Sequence, residues 1–577
     1  MYDSLNRFEK VMFSALSVFL VVFYSHSAIL RPAANQYHVG MYVVVSYMLI
    51  FLLYKSKNPV LRVLDYLLLI VSAVVCIYYM YNYEALNYRA GAETELDKYI
   101  ALVGVFLGIE VARRVVGFVF VIIGVLMILY GVYGPHMPEL FSHPGDSLIN
   151  ICTFIFYQAD GVFGIMANVL ATYVLLFVLF GAFLEQSGAQ RFFIDFPLAA
   201  VGHRIGGPAK VAVIASALFG SISGSAIANT VSTGAFTIPL MKKAGFRPHV
   251  AGGIEPAASI GGMFMPPIMG AGGFIMSELT GVPYSRIMVI AIFPALMYFF
   301  SVFVMIHYEA KNHNIRGEKT AESAMQILKK EWYYTLPLVL ITVFMLVGYS
   351  PGFAAIIGIL SCIVISWVKK DTRIGLKGFM EASRQGAENS LKIGATVGVI
   401  GIIIAVLTYS GLILTFADIV IDIAGGRLFL TIVLIALASL ILGMGVPVTA
   451  AYLITAVVAV PALTHLGVNE VAAHMIVYWL SQDSNITPPV CIAAFAGATI
   501  AQANMWRTAF AAFKFAKFLY LAPFLFGYVP GFSLNGTTAD IIKSMVLIVI
   551  GTWFFAYLLS GSWIYSIRKW RKGASAN

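Results

Sequence analysis

Residues 261–267 read GGMFMPP and residues 483–489 read DSNITPP. Each stretch places a double proline inside a long apolar run, and the two double prolines lie 222 positions apart. Proline removes a backbone hydrogen-bond donor and clashes with the preceding turn, so a helix opens there. Opened backbone at membrane depth is stable only where protein or cavity water satisfies it. The sequence therefore predicts two broken membrane helices at matching positions.

The same offset relates further proline and glycine residues in the two halves of the chain. At a shift of 222 positions, without a gap, the aligned pairs are Gly164 with Gly386, Pro239 with Pro461, and Gly245 with Gly467. Broken helices at corresponding positions of two repeats are typical of transporter binding sites. We therefore predict an internal duplication.

A glycine- and serine-rich interruption precedes each broken helix. In the first half, residues 219–226 (FGSISGSA) separate the apolar stretches 210–218 and 227–240, and in the second, residues 443–449 (GMGVPVT) interrupt the run from 428 to 461. Arms of about a dozen residues cover roughly half of a bilayer core. We predict two re-entrant helical hairpins with tips near the membrane midplane.

The composition defines the class of protein. Of 577 residues, 60% are hydrophobic and 11% are charged, and the mean hydropathy is +0.87. Soluble globular proteins have about 25% charged residues. These values exclude a soluble enzyme, a disordered chain and a secreted disulfide scaffold. We expect an all-α polytopic membrane protein of about 16 membrane segments, including the two hairpins and the two Pro-broken helices.

Charge is distributed over short loops. The net charge of +10 comes from 37 Lys and Arg against 27 Asp and Glu, and this pattern orients helices in a lipid bilayer rather than binding nucleic acid. The loop with Lys55, Lys57 and Arg62 is basic, the loop at 84–97 is acidic, and residues 568–572 (RKWRK) form a basic tail. We predict that both termini are cytoplasmic.

Polar segments divide the chain. Apolar runs at 11–30, 39–54, 63–81 and 115–133 accompany a run at 100–112 that is too short to cross a bilayer comfortably. The predicted segments are N-terminal scaffold helices 1–134, a linker 135–150, a first repeat with hairpin 1 over 151–308, a polar loop with connecting helices 309–381, a second repeat with hairpin 2 over 382–530, and a C-terminal helix with a basic tail over 531–577.

The hairpin tips and helix breaks supply candidate ligand groups. The second arm of each hairpin begins just after its tip, so its N-terminal amides suit a carboxylate. Opened carbonyls and hydroxyls suit a hard cation such as sodium. The candidate substrate- and ion-binding residues are Ser221, Ser223, Gly224, Ser225, Asn229, Thr230, Glu255, Pro266, Pro267, Gly443, Gly445, Thr449, Asp483, Ser484, Asn485, Thr487 and Pro488. The sodium candidates among them are Ser223, Ser225, Gly445, Asp483, Asn485 and Thr487.

Two carboxylates lie in apolar surroundings. Asp483 lies at a helix break within a span, where a charge is costly and points to function. It either ligates a cation or carries a proton. Glu255 has a similar setting, with the alternative that it pairs with Lys242, Lys243 or Arg247 near the membrane interface.

Four stretches resemble the fused membrane component of a tripartite ATP-independent periplasmic (TRAP) transporter. They are FGSISGSAIANTVSTGAF at 219–236, GGIEPAASIGGMFMPPIMGAGGFIMSE at 252–278, GMGVPVTAAYLITAVVAVPAL at 443–463 and SQDSNITPPVCIAAFAGA at 481–498. They are similar to the TAXI branch, in which the small (Q) and large (M) membrane subunits form one chain. The resemblance covers the large-subunit region from about residue 150, whereas residues 1–134 match by helix count and position.

The resemblance implies an inverted-repeat, elevator-type importer of a small organic acid in the bacterial inner membrane. A periplasmic TAXI-type binding protein delivers the substrate, and a sodium or proton gradient drives uptake without any other cofactor. Relatives in this branch are expected to carry a glutamine before the first double proline, where this chain has Met263. Asp483 in place of a neutral residue also departs from the usual sodium pattern.

Other functions are less compatible with the sequence. A stand-alone divalent-anion/sodium elevator symporter shares the hairpins but leaves the N-terminal helices unexplained. A membrane enzyme needs a catalytic cluster, and the histidines form no HExxH or comparable set. A passive channel is disfavoured because paired hairpins indicate an occluded site.

Overall fold

The described part of the chain is almost entirely helical. The structure is a computed structural model that describes residues 2–56, 58–444 and 446–563. The predictions that concern Lys57, Gly445 and the basic tail at 568–572 lie outside the described residues.

We number the α-helices in chain order. Helices α1–α8 are Arg7–Ile29, Asn35–Leu53, Pro59–Tyr88, Glu95–Val115, Phe118–Val132, Leu148–Tyr157, Ile165–Val169 and Leu175–Gln186. Helices α9–α14 are Ala189–Val201, Gly207–Ser223, Ala226–Lys243, Pro248–Gly261, Gly270–Thr280 and Tyr284–Asn312. Helices α15–α20 are Ala324–Glu331, Leu336–Val347, Pro351–Ser366, Leu376–Gly394, Val397–Ser410 and Leu412–Ile423. Helices α21–α27 are Leu428–Leu442, Val448–His465, Glu470–Ser481, Ile492–Ala501, Met505–Phe515, Phe518–Tyr528 and Thr538–Leu559.

Apolar length confirms a polytopic membrane protein. Ten helical segments within the described residues are long and apolar enough to cross a membrane, and six shorter apolar helices accompany them. Among the shorter helices are the first arms of both predicted hairpins, α10 and α21. The total of about 16 membrane segments and the re-entrant depth of the hairpins remain predictions.

The N-terminal apolar runs form helices as predicted, and the run at 100–112 is part of a longer helix. It lies in α4, which has 21 residues and begins at Glu95 with a capping box of Thr94 and Asp97. A helix of this length rises about 30 Å. However, α4 carries charged residues at both ends and is not among the described helices that are both long and apolar enough to cross a membrane. The expectation that this run does not cross comfortably therefore remains a prediction.

Helix positions support the internal duplication. Helices α11, α12 and α13 begin at residues 226, 248 and 270, and α22, α23 and α24 begin at residues 448, 470 and 492, each 222 positions later. The residue before α13, Met269, and the residue before α24, Cys491, share a left-handed conformation with φ of 55° and 33°. Both double prolines contain a cis peptide bond.

The chain divides into two compact units that interleave along the sequence. The first comprises Met1–Ser187, Val343–Arg427 and Gly445–Leu466. The second comprises Gly188–Thr342, Leu428–Met444 and Gly467–Asn577. Hairpin 1 and both broken helices belong to the second unit, whereas the arms of the second predicted hairpin, α21 and α22, belong to different units. The linear segment boundaries drawn from the sequence remain predictions.

A buried carboxylate ties two N-terminal helices of the first unit together. Asp97, at the start of α4, is fully buried and accepts two hydrogen bonds from the Arg89 guanidinium, at 2.8 Å and 2.7 Å. It also accepts from the Tyr78 hydroxyl at 2.6 Å and from the Thr94 backbone N–H at 2.8 Å. Tyr78 lies in the C-terminal part of α3, and Arg89 directly follows the end of that helix. This one carboxylate therefore fixes how the chain turns from α3 into α4.

We expect the substitution Asp97→Asn to destabilise the protein by about 2 kcal/mol. The amide keeps the shape but leaves Arg89 without its charged partner, and the cost stays below the ~3–5 kcal/mol of a fully buried pair because the Arg89 side chain is 27% exposed. Thermal unfolding of the purified protein in detergent measures the change. Glu95→Gln in the same turn is the matched control, since Glu95 forms only a solvent-exposed pair with Lys98 and its loss should leave the melting temperature nearly unchanged. Equal melting temperatures for the two variants would contradict this role of Asp97.

Candidate functional site

Tyrosine hydroxyls satisfy the backbone of the first break, between α12 and α13. The Tyr478 hydroxyl lies 2.7 Å from the carbonyl oxygen of Met263 and 2.6 Å from that of Met269. The Tyr284 hydroxyl lies 2.8 Å and 2.6 Å from the carbonyl oxygens of residues 267 and 268. The oxygens that the double proline exposes are therefore occupied by side chains of the protein. The predicted binding role of Pro266 and Pro267 gains no support from this geometry.

The second break, between α23 and α24, leaves buried polar atoms unpaired. It contains a 3-10 turn at Asp483–Asn485. Within the described residues, both polar atoms of the Gln482 amide and the Asp483 Oδ1 atom are buried without a hydrogen-bond partner. Gln482 and Asp483 are 0% and 3% exposed. The sequence prediction included Asp483 but missed Gln482, which directly precedes it and lies six positions before the double proline.

The C-terminal end of α21 packs against this turn. A Cβ added to Gly443 would lie 2.5 Å from the Ser484 Cβ, so glycine is required for the close approach. The hydroxyl of Ser439, on the same helix, is also buried without a partner in the described part of the chain. On the other side of the turn, the Thr487 hydroxyl hydrogen-bonds the Tyr520 hydroxyl. The Asn485 amide donates to the Gln482 carbonyl oxygen at 3.3 Å.

The two breaks therefore differ in chemistry although they share a backbone pattern. Buried polar groups in proteins almost always have hydrogen-bond partners, and each exception calls for an explanation. An unpaired carboxylate oxygen inside a membrane protein is costly and marks a functional position. The second break thus offers a carboxylate and an amide to a ligand, whereas the first break offers an internally satisfied backbone.

Hairpin 1 is interrupted over fewer residues than the sequence predicted. Helix α10 continues through Ser223, and only Gly224 and Ser225 separate it from α11. The predicted interruption at 219–226 is wrong, since residues 219–223 continue α10 and the Ser221 hydroxyl donates to the Leu218 carbonyl oxygen of the same helix at 2.9 Å. Tertiary packing here overrides the low helix propensity of glycine and serine. Gly224 ends the helix in a left-handed conformation with φ of 60°. The arms have 17 and 18 residues, longer than the predicted dozen.

The predicted residues of hairpin 1 have different environments. Ser225 caps α11 by accepting from the Ala228 N–H at 3.3 Å, and the Ser223 hydroxyl lies 3.5 Å from the Ser225 carbonyl oxygen. Asn229 is fully buried, and Thr230 is buried with an unpaired hydroxyl among the described residues.

Asn229 holds the hairpin against the first broken helix. Its amide donates to the Ser216 carbonyl oxygen on α10 at 3.1 Å and to the Ser259 carbonyl oxygen on α12 at 3.4 Å. A Cβ added to Gly262 would lie 2.5 Å from the Gly220 Cα, so the two backbones are in direct contact. The tip of hairpin 1 and the end of α12 therefore form one packed element.

The alternative that Glu255 pairs with a nearby basic residue is wrong. Lys242 donates instead to the Ala501 carbonyl oxygen at 2.9 Å, and Glu255 forms no ion pair in the described part of the chain. Four hydroxyls surround its carboxylate, and they belong to Ser216, Thr233, Thr237 and Ser259. The i, i+4 spacing of the two threonines on α11 is a signal in the sequence that we missed.

The remaining predicted residues are not brought into these contacts. Thr449 lies half-buried in the first turn of α22, in the first unit. Pro488 is half-buried in the second break, and Gly445 lies outside the described residues. Their binding roles remain predictions.

A duplicated bundle of apolar helices with paired breaks, one of which carries an unpaired buried carboxylate, defines a membrane transport protein. A sequence model of the family described as "Tripartite ATP-independent periplasmic transporter, DctM component" matches residues 103–532. The chain belongs to this family, and it is a transporter component and not an enzyme. The match begins upstream of residue 150, where the sequence motifs placed the start of the resemblance.

Characterised relatives are distant in sequence. The C4-dicarboxylate TRAP transporter large permease protein DctM of Pseudomonas aeruginosa is 26% identical over 400 residues, which are 66% of this chain and 91% of the relative. The sialic acid TRAP transporter large permease protein SiaM of Vibrio cholerae is 25% identical over 59% of this chain and 80% of the relative. The 2,3-diketo-L-gulonate TRAP transporter large permease protein YiaN of Escherichia coli is 24% identical over 54% of this chain and 74% of the relative.

A solved transporter shares the fold. The match to the crystal structure of the Alcanivorax borkumensis YdaH transporter covers 72% of this chain and 98% of the YdaH chain. Its TM-score is 0.50, and the two sequences are 16% identical. This likeness concerns the arrangement of helices alone.

We expect the substitution Tyr478→Phe to destabilise the protein by about 1–3 kcal/mol, because it leaves the carbonyl oxygens of Met263 and Met269 buried without a donor. The melting temperature in detergent measures the loss. Tyr88→Phe removes the same hydroxyl from a residue that is 96% exposed and serves as the matched control. A Tyr478→Phe variant as stable as Tyr88→Phe would show that this hydroxyl does not sustain the first break.

Proposed function

We propose that the protein is a secondary active importer of a small organic acid anion, driven by a sodium or proton gradient through an elevator mechanism. The observation that carries this proposal is the set of buried polar atoms without a partner in the second break, namely both polar atoms of the Gln482 amide and the Asp483 Oδ1 atom. Membership of the transporter family supplies the class of activity. A carboxylate in this position serves a cation or proton that enters with the substrate.

Two observations favour an organic acid anion as the substrate. The relatives are named for C4-dicarboxylate, 2,3-diketo-L-gulonate and sialic acid, and each of these compounds carries a carboxylate. The first turn of α11 begins directly after the hairpin 1 tip, so its backbone N–H groups favour a negative charge.

The N-terminal helices support the fused TAXI-type organisation. Three helices of spanning length, α1–α3, precede the matched region, which begins at residue 103. A family member with extra helices fused to its large subunit needs no separate small subunit. We propose that residues 1–134 act as that subunit, that a periplasmic TAXI-type binding protein delivers the substrate, and that the chain resides in the bacterial inner membrane with both termini cytoplasmic.

Uptake into proteoliposomes tests this function. The purified protein is reconstituted alone or with its candidate binding protein, and a panel of radiolabelled dicarboxylates, sugar acids and amino acids is offered under separate sodium and proton gradients. We expect uptake of one acid only with the binding protein present and only under a gradient. Uptake that needs no binding protein would contradict the tripartite proposal and favour a stand-alone symporter.

The variant Asp483→Asn tests the site. The amide retains the volume of the side chain but removes the charge, so we expect at least about a hundredfold loss of gradient-driven uptake, equivalent to about 2.7 kcal/mol, with a normal melting temperature. Asp371→Asn, at an exposed position in a 3-10 turn, is the matched control and retains uptake. Wild-type uptake and ion dependence in Asp483→Asn would remove Asp483 from the coupling site.

A further inference from the structure

Glu255 lies in a cage of hydroxyl groups contributed by three helices. The Ser216 hydroxyl on α10 lies 2.7 Å from the Glu255 Oε1 atom, and the hydroxyls of Thr233 and Thr237 on α11 hydrogen-bond the two carboxylate oxygens. The Ser259 hydroxyl, one turn further along α12, lies 3.5 Å away. Glu255 is 0% exposed. A carboxyl group is thus held at the centre of the second unit by neutral donors alone.

Basic groups of the surrounding helices do not neutralise Glu255. The other titratable groups on the helices packed against it are Lys210 on α10, Lys242 and Lys243 on α11, His249 on α12 itself, Tyr284, Arg286, Tyr298, His307, Tyr308, Glu309 and Lys311 on α14, and Arg507 and Lys514 on α25, whereas α24 carries none. Within the described residues, none of them forms an ion pair or a hydrogen bond with Glu255. The hydroxyls solvate the carboxylate in part, but they supply no counter-charge, and a buried charge without one is costly. A cation or a proton bound to Glu255 removes this cost.

The contacts around the carboxylate favour a proton. The Ser216 hydroxyl lies 2.7 Å from the Glu255 Oε1 atom and 3.2 Å from the Thr233 hydroxyl, so the oxygens form a continuous hydrogen-bond network. A proton joins such a network without moving the oxygens. A cation such as Ca²⁺ would have to insert among them and hold each oxygen at about 2.3–2.6 Å in place of these hydrogen bonds.

The two threonines can serve both protonation states. The Thr233 hydroxyl lies 2.7 Å from the Asn229 carbonyl oxygen, and the Thr237 hydroxyl lies 3.0 Å from the Thr233 carbonyl oxygen, each one turn earlier in α11. When Glu255 is ionised, both hydroxyls turn to donate to it. When Glu255 is protonated, a hydroxyl donates to its own helix and accepts the carboxyl proton. The cage therefore exchanges one hydrogen-bond pattern for another without losing a partner.

The second repeat packs without a carboxylate at this position. At the offset of 222, Glu255 corresponds to Val477, Thr237 to Ala459 and Ser216 to Ala438. Val477 is fully buried in α23, so helix packing at this position is satisfied by an apolar side chain. Because a buried acid is costly and the duplicated structure does without it, Glu255 has a role other than packing.

The cage is connected to hairpin 1. Asn229, whose carbonyl oxygen accepts from Thr233, also donates its amide to the Ser216 and Ser259 carbonyl oxygens. A Cβ added to Gly234 would lie 3.0 Å from the Glu255 Cγ atom, so α11 lies directly on the acid. A change of hydrogen bonding at Glu255 therefore reaches both arms of the hairpin through shared side chains.

We infer that Glu255, within the hydroxyl cage of Ser216, Thr233, Thr237 and Ser259, is a proton-binding site of this transporter. Glu255 takes up one proton on its carboxylate and releases it when hairpin 1 separates from α12 and admits water. This inference rests on the proposed function for the use of the proton in transport. The presence of the proton itself is measurable without any substrate, so the two proposals fail independently.

Infrared difference spectroscopy of the full chain in lipid tests the inference. A pH titration in H₂O and D₂O reports the C=O stretch of a protonated carboxyl, which is absent from an ionised one. We expect such a band in the wild type, its loss in Glu255→Gln and its retention in Asp483→Asn, with no change when NaCl replaces choline chloride. A band that persists in Glu255→Gln, that is lost in Asp483→Asn, or that disappears on addition of sodium would overturn the inference.

Two further variants test the inference in case Glu255→Gln does not fold. Thr237→Val and Ser216→Ala each remove one hydroxyl from the cage and keep the acid, so we expect the band to shift in frequency in both. Thr408→Val, outside the second unit, is the control and leaves the band unchanged. A band unmoved by both cage variants would show that the protonated carboxyl lies elsewhere.

Cysteine labelling tests separately whether protonation of Glu255 affects hairpin 1. The native cysteines are all buried, so a cysteine placed by Ser223→Cys at the half-buried hairpin tip dominates labelling by a maleimide. We expect its labelling rate, corrected for thiol ionisation with a free-thiol peptide, to change with pH. Adding Glu255→Gln should abolish that change. A corrected rate that varies with pH equally in both backgrounds would disconnect Glu255 from the hairpin.

Discussion

Opened helix backbone inside a membrane protein must find its hydrogen-bond partners within the protein, and this constraint governs the second unit. At the first break the partners are two tyrosine hydroxyls, from Tyr478 and Tyr284. Tyr478 belongs to the other broken helix, so the two breaks are structurally dependent on each other. In the second break, among the residues that the structure describes, the Gln482 amide and the Asp483 Oδ1 atom have no hydrogen-bond partner and remain available to a ligand.

Duplication followed by divergence explains how two repeats with the same backbone arrangement carry different buried side chains. Three successive helix starts, those of α11, α12 and α13, recur 222 positions later in α22, α23 and α24, since glycine and proline positions help to determine where helices begin and end. The side chains in between have diverged. The first repeat carries a buried acid among hydroxyls, and the second carries an acid and an amide at its break. Each repeat therefore contributes one carboxylate, at a different place along the broken helix.

Local signals in the sequence predicted the membrane class, most helix positions, the duplication and both breaks, since each depends on residues close together in the chain. The hairpin 1 interruption was overestimated because glycine and serine have low helix propensity, whereas packing in the folded protein keeps α10 helical through Ser223. The role of Tyr478 was beyond prediction, since its carbonyl partners lie more than two hundred positions away. The same holds for Glu255, whose hydroxyl cage forms only when three helices pack together.

The most direct measurement of the central claim is a cryo-EM reconstruction of the protein in lipid nanodiscs with the transported acid and its coupling ion. We expect ligand density beside the Asp483 carboxylate and the Gln482 amide, while Tyr478 stays bonded to the first break. Ion density among the carbonyl oxygens of residues 263–269, with Tyr478 displaced and Asp483 unoccupied, would contradict the division of roles between the two breaks.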